Sequence, residues 1–342
     1  GAIIKDADGT TLWTPGALKH VKAIGWFIEE YGITQVTMNL TNIKETPFHI
    51  AYDETLKKAA ARGVHVTGSE LIGLVPKNAM LEAGKYFLRK QERSTGVQES
   101  ELIKIAIKSM GLDELSPFNP KDRIIEYMLE DGEHKKLVDL SLTEFSDETA
   151  SESPAPGGGS ISAYVGSLGI SLATMVANLS AHKRGWDERW EAFSEWAEKG
   201  QQLKDELIFL VDEDTNSFNK IMEAMRLPKG SASEKETRRE ALNAATKHAI
   251  LTPFRVMETA LKSNDMIQKM AEIGNPNSVT DAGVGALCAR TAVMGAFLNV
   301  KINCGDCEDK NFVDDILKRG QQLVDDTCAL ENKIMEITNS KI

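Results

Sequence analysis

Apolar positions in the first third of the chain change period several times over short distances. Leu18, Val21, Ile24, Phe27 and Ile28 recur three or four residues apart after Pro15-Gly16-Ala17, a spacing that predicts an amphipathic helix. Gln35-Val36-Thr37-Met38-Asn39-Leu40 alternates and is β-branched enough for a strand. Thr46-Pro47 opens a helical stretch through Ala61, with Gly63 placed as its C-cap, and Val64-His65-Val66-Thr67-Gly68 reads as the next strand. Beyond Asp131 the alternation thins and helical periodicity takes over. Candidate helices run from Leu140 to Ser146, Ser160 to Leu179, Asp187 to Met225, Ser233 to Leu261, Asn264 to Ile273, Ser278 to Asn299, and Asp309 to Ser340. Pro253 should kink or split the fourth of these. The pattern predicts a multi-domain chain: an α+β subdomain over residues 1–130, a linker over 131–139, and an all-α helical bundle over 140–342.

A length of 342 residues is enough for two domains, each with its own core. The formal net charge of −11, with no run of Lys and Arg, excludes a nucleic-acid footprint. No apolar stretch reads as approaching the ~20 residues that span a bilayer, and Gly1 to Gly9 lacks a signal-peptide profile, so a soluble, cytoplasmic protein with no membrane partner is expected. Of the cysteines at 288, 304, 307 and 328, only Cys304 and Cys307 form a C-x-x-C pair. Without a second pair, a His motif or a strand-to-helix context, that pair reads as structural, and no metal is expected. The cysteine usage suits a reducing compartment.

Three segments could carry chemistry. Pro154-Ala155-Pro156-Gly157-Gly158-Gly159-Ser160 precedes a helix rich in Gly, Ala and Ser. The glycines let a ligand approach the main chain, and Ser160 can cap a helix whose N-terminus favours negative charge. Local chemistry leaves a ligand loop and a flexible linker equally open. The second segment is Val211-Asp212-Glu213-Asp214-Thr215-Asn216-Ser217-Phe218. Asp212 and Asp214 point to different helix faces, and Asp214 shares a stripe with Leu203, Leu207, Leu210 and Phe218. Desolvation there would raise its pKa toward a value useful for proton transfer; a partly solvated acidic turn is the bland alternative. The third is Gly274-Asn275-Pro276-Asn277-Ser278-Val279-Thr280-Asp281, where helix capping explains most of the polar residues. Downstream, Asn299 and Asn303 lie four apart and share a face if the helix reaches that far. His182-Lys183-Arg184 supplies positive charge, either for an anionic ligand tail or as a solvated helix end.

In combination these segments resemble the formiminotransferase-cyclodeaminase family. The resemblance over residues 138–340 rests on A-P-G-G-G-S at 155–160, V-D-x-D-x-x-x-F at 211–218, E-A-M-R-L-P-K at 223–229, G-N-x-x-x-x-x-D at 274–281 and N-V-x-I-N at 299–303. The N-terminal stretch is similar to the second half of the family's transferase unit, through A-I-G-W at 23–26, G-S-E-L-I-G-L-V-P at 68–76 and P-F-N-P-K-D-R-I-I-E-Y at 117–127.

The resemblance implies a folate enzyme of one-carbon metabolism and histidine degradation. The family's transferase half moves a formimino group from formiminoglutamate to tetrahydrofolate. Its cyclodeaminase half, a lyase, closes the N5-formimino adduct to 5,10-methenyltetrahydrofolate with loss of ammonia. The family's catalytic aspartate falls on Asp214. Gly157, Gly158, Gly159 and Ser160 would position the polyglutamylated tetrahydrofolate substrate, and Lys183 and Arg184 would attract its glutamate tail. Asn275, Asp281, Asn299 and Asn303 are further lining candidates. The family's transferase histidine belongs to the first half of the transferase unit, which has no match here, so transferase activity is not expected. The chain then reads as a fragment or as the companion of a separate transferase half. A homo-oligomer, at least a dimer, is implied because the family associates through its helical domain. Two competing readings stay open: a methenyltetrahydrofolate cyclohydrolase, and a non-catalytic folate-binding or scaffold module.

Overall fold

Val21–Ile28 is rich in β-branched and aromatic residues, and the structure, a computed structural model describing residues 3–12, 16–129 and 136–342, makes it a strand. This strand, β1, pairs antiparallel with β2 (Ile33–Leu40) in the register Val21↔Leu40 to Ile28↔Ile33. The helix expected from Leu18 to Ile28 is therefore corrected. Three-and-four spacing also arises in a strand that carries apolar residues on both faces, and Gly32, at φ +64°, closes the turn that brings β2 alongside. The strand expected at Val64 to Gly68 does not form either. That stretch has no regular structure, and just beyond it Ser69 donates from its N–H to Gly111 O (3.1 Å) and from its hydroxyl to Met110 O (2.7 Å). Pro15 and residues 131–135 of the expected linker lie outside the described residues.

The chain divides into two compact units, Gly1–Gln91 with Glu99–Glu130, and Glu92–Gln98 with Asp131–Ile342. In the first, α1 (Phe48–Ala60), α2 (Lys77–Lys90) and α3 (Glu99–Met110) are followed by two single turns, α4 (Pro120–Arg123) and α5 (Ile125–Met128). Met80, Ala83, Phe87, Ile103, Ala106 and Met110 form its core between α2 and α3. Gly63, at φ +70°, follows α1 and returns its N–H to Ala60 O, the terminating role expected of it.

The second unit is all helical: α6 (Leu142–Thr149), α7 (Gly158–Ala181), α8 (Trp190–Arg226), α9 (Ala232–Ile273), α10 (Val279–Asn303) and α11 (Lys310–Asn339). Ser231 and Glu234 cap each other's backbone N–H groups at the start of α9 (3.2 and 2.7 Å). The small residues of α7 serve close packing. An ideal Cβ on Gly169 would lie 2.8 Å from Gly285 O, and one on Gly285 would lie 2.9 Å from Gly169 O, so α7 and α10 touch backbone to backbone. Leu207, Leu210, Ile250, Met257, Met266 and Ile267, all at most 1% exposed, complete the core from α8 and α9.

Two further expectations are corrected. Residues 233–261 and 264–273 form one helix, α9, of 42 residues, which runs through Pro253. A proline there removes the N–H that would bond the carbonyl four residues back, that of Ala249. Asn303 supplies the missing donor, its Nδ2 lying 2.8 Å from Ala249 O. The second correction concerns apolar length. α7 and the segment Pro276–Asp306, with mean hydropathies of 1.5 and 1.4, are long and apolar enough to cross a membrane by length and composition. Interspersed Ser, Thr and Asn hide this in the sequence. Here most of the α7 window, and half of the other, is buried inside the fold, chiefly against α8 and α9 and against one another.

Candidate functional site

The Gly-rich loop matters because of what the start of α7 meets. Gly159 and Ser160 enter α7 against α8, where Asp214 projects from the turn after buried Leu210 and Val211. The Ser160 N–H donates to Asp214 Oδ2 (3.0 Å), and its hydroxyl lies 2.8 Å from Val211 O and 3.2 Å from the same Oδ2. Ser160 is fully buried. An ideal Cβ on Gly159 would fall within 2.6 Å of Oδ2 and closer still to Oδ1, so the carboxylate occupies space that only glycine leaves free. Helix α7 thus presents the positive end of its dipole, and two N-terminal donors from one residue, to a single carboxylate.

Burial pushes the Asp214 carboxyl above its ordinary value, and the two hydrogen bonds from Ser160 act against that rise. The result is a half-buried acid that can both take and give a proton. Its neighbours on α8 do other work, as their angular spacing demands. Asp212 Oδ1 accepts from the N–H of Leu137 (2.7 Å), fastening the turn Leu137–Asp139 to the bundle. Glu213 Oε1 faces His248 Nε2 (2.8 Å) and Lys220 Nζ (3.2 Å), which hold its carboxyl low against the opposing effect of burial. Of the expected stripe, Leu207 and Leu210 are buried, Leu203 partly so, and Phe218 is exposed. The apolar surroundings of Asp214 therefore lie mainly on its N-terminal side.

The structure sorts the site residues expected from sequence into two groups. Gly157, Gly158, Gly159, Ser160, Asp214 and Asn299 meet at one end of α7; an ideal Cβ on Gly158 would lie 3.1 Å from Asn299 Nδ2, which itself donates to Gly295 O (3.0 Å). Asn303 is at the same end of α10 but is committed to Ala249 O. Lys183, Arg184, Asn275 and Asp281 belong to the other end. Lys183 and Arg184 follow the last turn of α7, and about 22 residues of rise at ~1.5 Å each puts Lys183 on the order of 33 Å from Ser160. Lys183 Nζ sits 4.2 Å from the Trp186 ring centroid. Asn275 donates its N–H to Ser180 Oγ (2.8 Å) and caps the turn Pro276–Ser278 through Asn277 N, and Asp281 lies in the first turn of α10. Within one chain these four are remote from Asp214.

Sequence reasoning missed the segment Ser94-Thr95-Gly96, which belongs to the helical unit. Ser94 Oγ donates to Asn178 Oδ1 (2.6 Å), the Thr95 N–H to Ser194 Oγ (2.8 Å), and Gly96 O accepts from Asn178 Nδ2 (3.0 Å) and Gln201 Nε2 (3.1 Å). Only the run of small residues between two helical patterns hinted at it. Cys304 and Cys307 are both buried free thiols.

Comparison with known proteins adds an independent line. Residues 141–322 match the family model described as formiminotransferase-cyclodeaminase, and residues 3–130 the model of the formiminotransferase domain. The chain is 40% identical over 302 residues to a formimidoyltransferase-cyclodeaminase of Gallus gallus, covering 87% of this chain and 55% of that protein. It is 32% identical to a methenyltetrahydrofolate cyclohydrolase of Methylorubrum extorquens, covering 59% of this chain and 97% of that protein. The crystal structure of formiminotetrahydrofolate cyclodeaminase from Thermotoga maritima superposes with a TM-score of 0.52 at 26% identity, over 59% of this chain and 96% of that one. The chain spans a little over half the length of the bifunctional relative.

Proposed function

Because this chain belongs to the formiminotransferase-cyclodeaminase family, we propose that its helical unit closes 5-formiminotetrahydrofolate to 5,10-methenyltetrahydrofolate with release of ammonia. The observation that carries the reading is the half-buried Asp214 carboxylate, held by the backbone and hydroxyl of Ser160 and raised in pKa by burial. The reaction needs one proton moved twice. The formimino group enters protonated, as N5–CH=NH2+. N10 attacks its carbon and gives its proton to the carboxylate; the carboxyl returns that proton to the exocyclic NH2 of the tetrahedral diamine, the C–N bond breaks, and ammonia departs, leaving the cationic methenyl bridge between N5 and N10. Atoms and charge balance with no metal step, and a single poised acid serves both transfers.

Gly157, Gly158, Gly159, Ser160 and Asn299 are the groups we assign to positioning the polyglutamylated tetrahydrofolate substrate. Lys183, Arg184, Asn275 and Asp281 would reach a folate bound at Asp214 only along an extended tail or from a second copy of the chain. A second copy is supported by an exposed apolar stripe on α10: Val284, Leu287, Met294, Leu298 and Ile302, all at least 41% exposed and spaced three, four or seven apart. Residues 3–130 are assigned by kinship to the transferase unit. The four free cysteines support a reducing, cytosolic setting.

A second reading, cyclohydrolase, is favoured by the Methylorubrum relative, 97% of whose length this chain matches. Water would then replace the amine as the group exchanged at the same carbon. Supplying 5-formiminotetrahydrofolate and 5,10-methenyltetrahydrofolate separately tests both. Ammonia release with appearance of the methenyl chromophore supports the first reading; loss of that chromophore above the uncatalysed rate, without ammonia release from the first substrate, supports the second.

A further inference from the structure

The face of α8 that carries Asp214 continues beyond it. Phe218, Ile221, Met222 and Met225 follow at four, seven, eight and eleven residues, the spacing of a single helical stripe. Towards the N-terminus of α8 the stripe is sealed. Leu207 and Leu210 are at most 1% exposed, and an ideal Cβ on Gly166 of α7 would lie 3.4 Å from Leu207 Cδ1. Helix α7 begins at Gly158, and the next residue already abuts Asp214, so α7 covers the stripe no further. Past that point it is open: Phe218, Met222 and Met225 are 49%, 36% and 51% exposed, three large apolar side chains in a row facing water.

The far end of this ledge carries cations. Arg226 is the last residue of α8, Lys229 follows closely in the chain, and Arg238 Nη2 donates to Met225 O (2.9 Å). Lys220 and Arg239 nearby are paired, with Glu213 and Glu236, whereas Arg226, Lys229 and Arg238 have no carboxylate partner among the described residues. Of the other local carboxylates, Glu234 accepts from the Ser231 N–H (2.7 Å), and Glu223, nine residues after Asp214, projects from the opposite side of α8.

We propose that this open stretch of α8 is the platform for the p-aminobenzoylglutamate half of the folate, the ring lying on Phe218 and Met222 and the glutamate carboxylates meeting the cations at the end of the helix. The proposal rests on the cyclodeaminase reading, because it takes N10 to be held at Asp214. The p-aminobenzoyl ring is bonded to N10, so a folate reacting there must send its ring and then its glutamate away in one direction. Along α8 the N-terminal direction is closed by α7, and only the C-terminal direction is free. Phe218, Met222 and Met225 lie about 6, 12 and 17 Å along the axis from Asp214, in the order ring, amide and glutamate. An aromatic face and two polarisable thioethers suit a flat aromatic ring, and guanidinium groups suit carboxylates.

Isothermal titration of the whole chain with 5-formyltetrahydrofolate, which has oxygen in place of the exocyclic nitrogen and cannot release ammonia, reads the platform without turnover. Phe218→Ala should weaken this binding tenfold or more and raise KM for 5-formiminotetrahydrofolate by a similar factor, with kcat within a few-fold of wild type. Phe218→Tyr, which keeps the ring, should restore both. Free p-aminobenzoyl-L-glutamate should compete with the bound folate in the wild type and lose that competition in Phe218→Ala. Met225→Ala, on a separate turn, should shift binding in the same direction and keeps the test valid if Phe218→Ala fails to fold. Absence of binding to the wild type, unaltered binding by Phe218→Ala, or a loss in Phe218→Tyr equal to that in Phe218→Ala would each overturn the proposal. So would a Phe218→Ala protein that binds normally but no longer self-associates in sedimentation, which would give the ledge to a second copy of the chain. The two claims fail separately: a wild type that binds but releases no ammonia sinks the cyclodeaminase reading, and one that turns over with a KM matched by Phe218→Ala sinks the platform alone.

Discussion

Gly159→Ala is a substitution whose helix propensity and local geometry demand opposite results. Alanine favours a helix over glycine by roughly 0.5–1 kcal/mol, so on propensity alone the variant should be more stable. The added methyl, however, would start within 2.6 Å of Asp214 Oδ2 and nearer to Oδ1. Ordinary contact requires a displacement of the carboxylate by about 1 Å, which breaks the bond from the Ser160 N–H. Losing a hydrogen bond to a charged acceptor costs about 1.5–3 kcal/mol, leaving a net destabilisation on the order of 1–2 kcal/mol. A 1 Å misplacement of a positioned group costs ~100-fold in rate. Urea unfolding and steady-state cyclodeamination should therefore show a lower midpoint and a kcat reduced about 100-fold. Gly305→Ala is the control: its methyl meets nothing within 4 Å, Gly305 has no part in the site, and turnover should stay within a few-fold of wild type. A Gly159→Ala protein that is more stable and retains its kcat would refute the claim that the fold holds Asp214 against the α7 N-terminus.

Three other outcomes follow from the same geometry. The folded Asp214 carboxyl titrates above its unfolded value, so the fold binds the proton more tightly and stability falls as pH rises through that window. Asp214→Asn should accordingly raise the Tm at neutral pH, with the gain disappearing below the unfolded carboxyl value of 3.8; a Tm lowered at neutral pH would contradict the burial argument. Asn303→Ala leaves Ala249 O without a donor and should cost about 1–3 kcal/mol in urea unfolding, but much less in a Pro253→Ala background, where the backbone N–H returns; equal costs in both would dissociate Asn303 from Pro253. Leu298→Glu places a charge in the exposed α10 stripe, where Leu298 is 63% exposed, and should weaken self-association on the order of 100-fold in sedimentation equilibrium; unchanged association would move the interface elsewhere.

Long, strongly periodic segments were the most legible part of this chain. The helices containing Ser160, Asp214 and Asn299 are where their apolar spacing predicts, because each buries a stripe against a neighbour. The first unit was harder to read. Leu18 to Ile28 fits a helical template as well as a two-faced strand, and only pairing with β2 decides between them. The ligand loop and the linker were indistinguishable at Gly157 to Ser160, since the deciding fact is the distance from Gly159 to a carboxylate 55 residues away in sequence. Asn303 looked like a lining residue because its partner is an orphan carbonyl created by Pro253 on another helix, a pairing that no local window contains. The separation of Lys183 and Arg184 from Ser160, by contrast, was implicit in the length of the predicted helix between them.

The most direct measurement follows chemically made 5-formiminotetrahydrofolate by stopped-flow absorbance as it becomes the methenyl form, with wild type and Asp214→Asn compared at matched concentration. The account predicts rapid conversion by the wild type and a fall of ~100-fold or more in the variant, as expected for losing a group that moves a proton at both steps. Conversion by both proteins at the uncatalysed rate, or by both at the same enhanced rate, would contradict it.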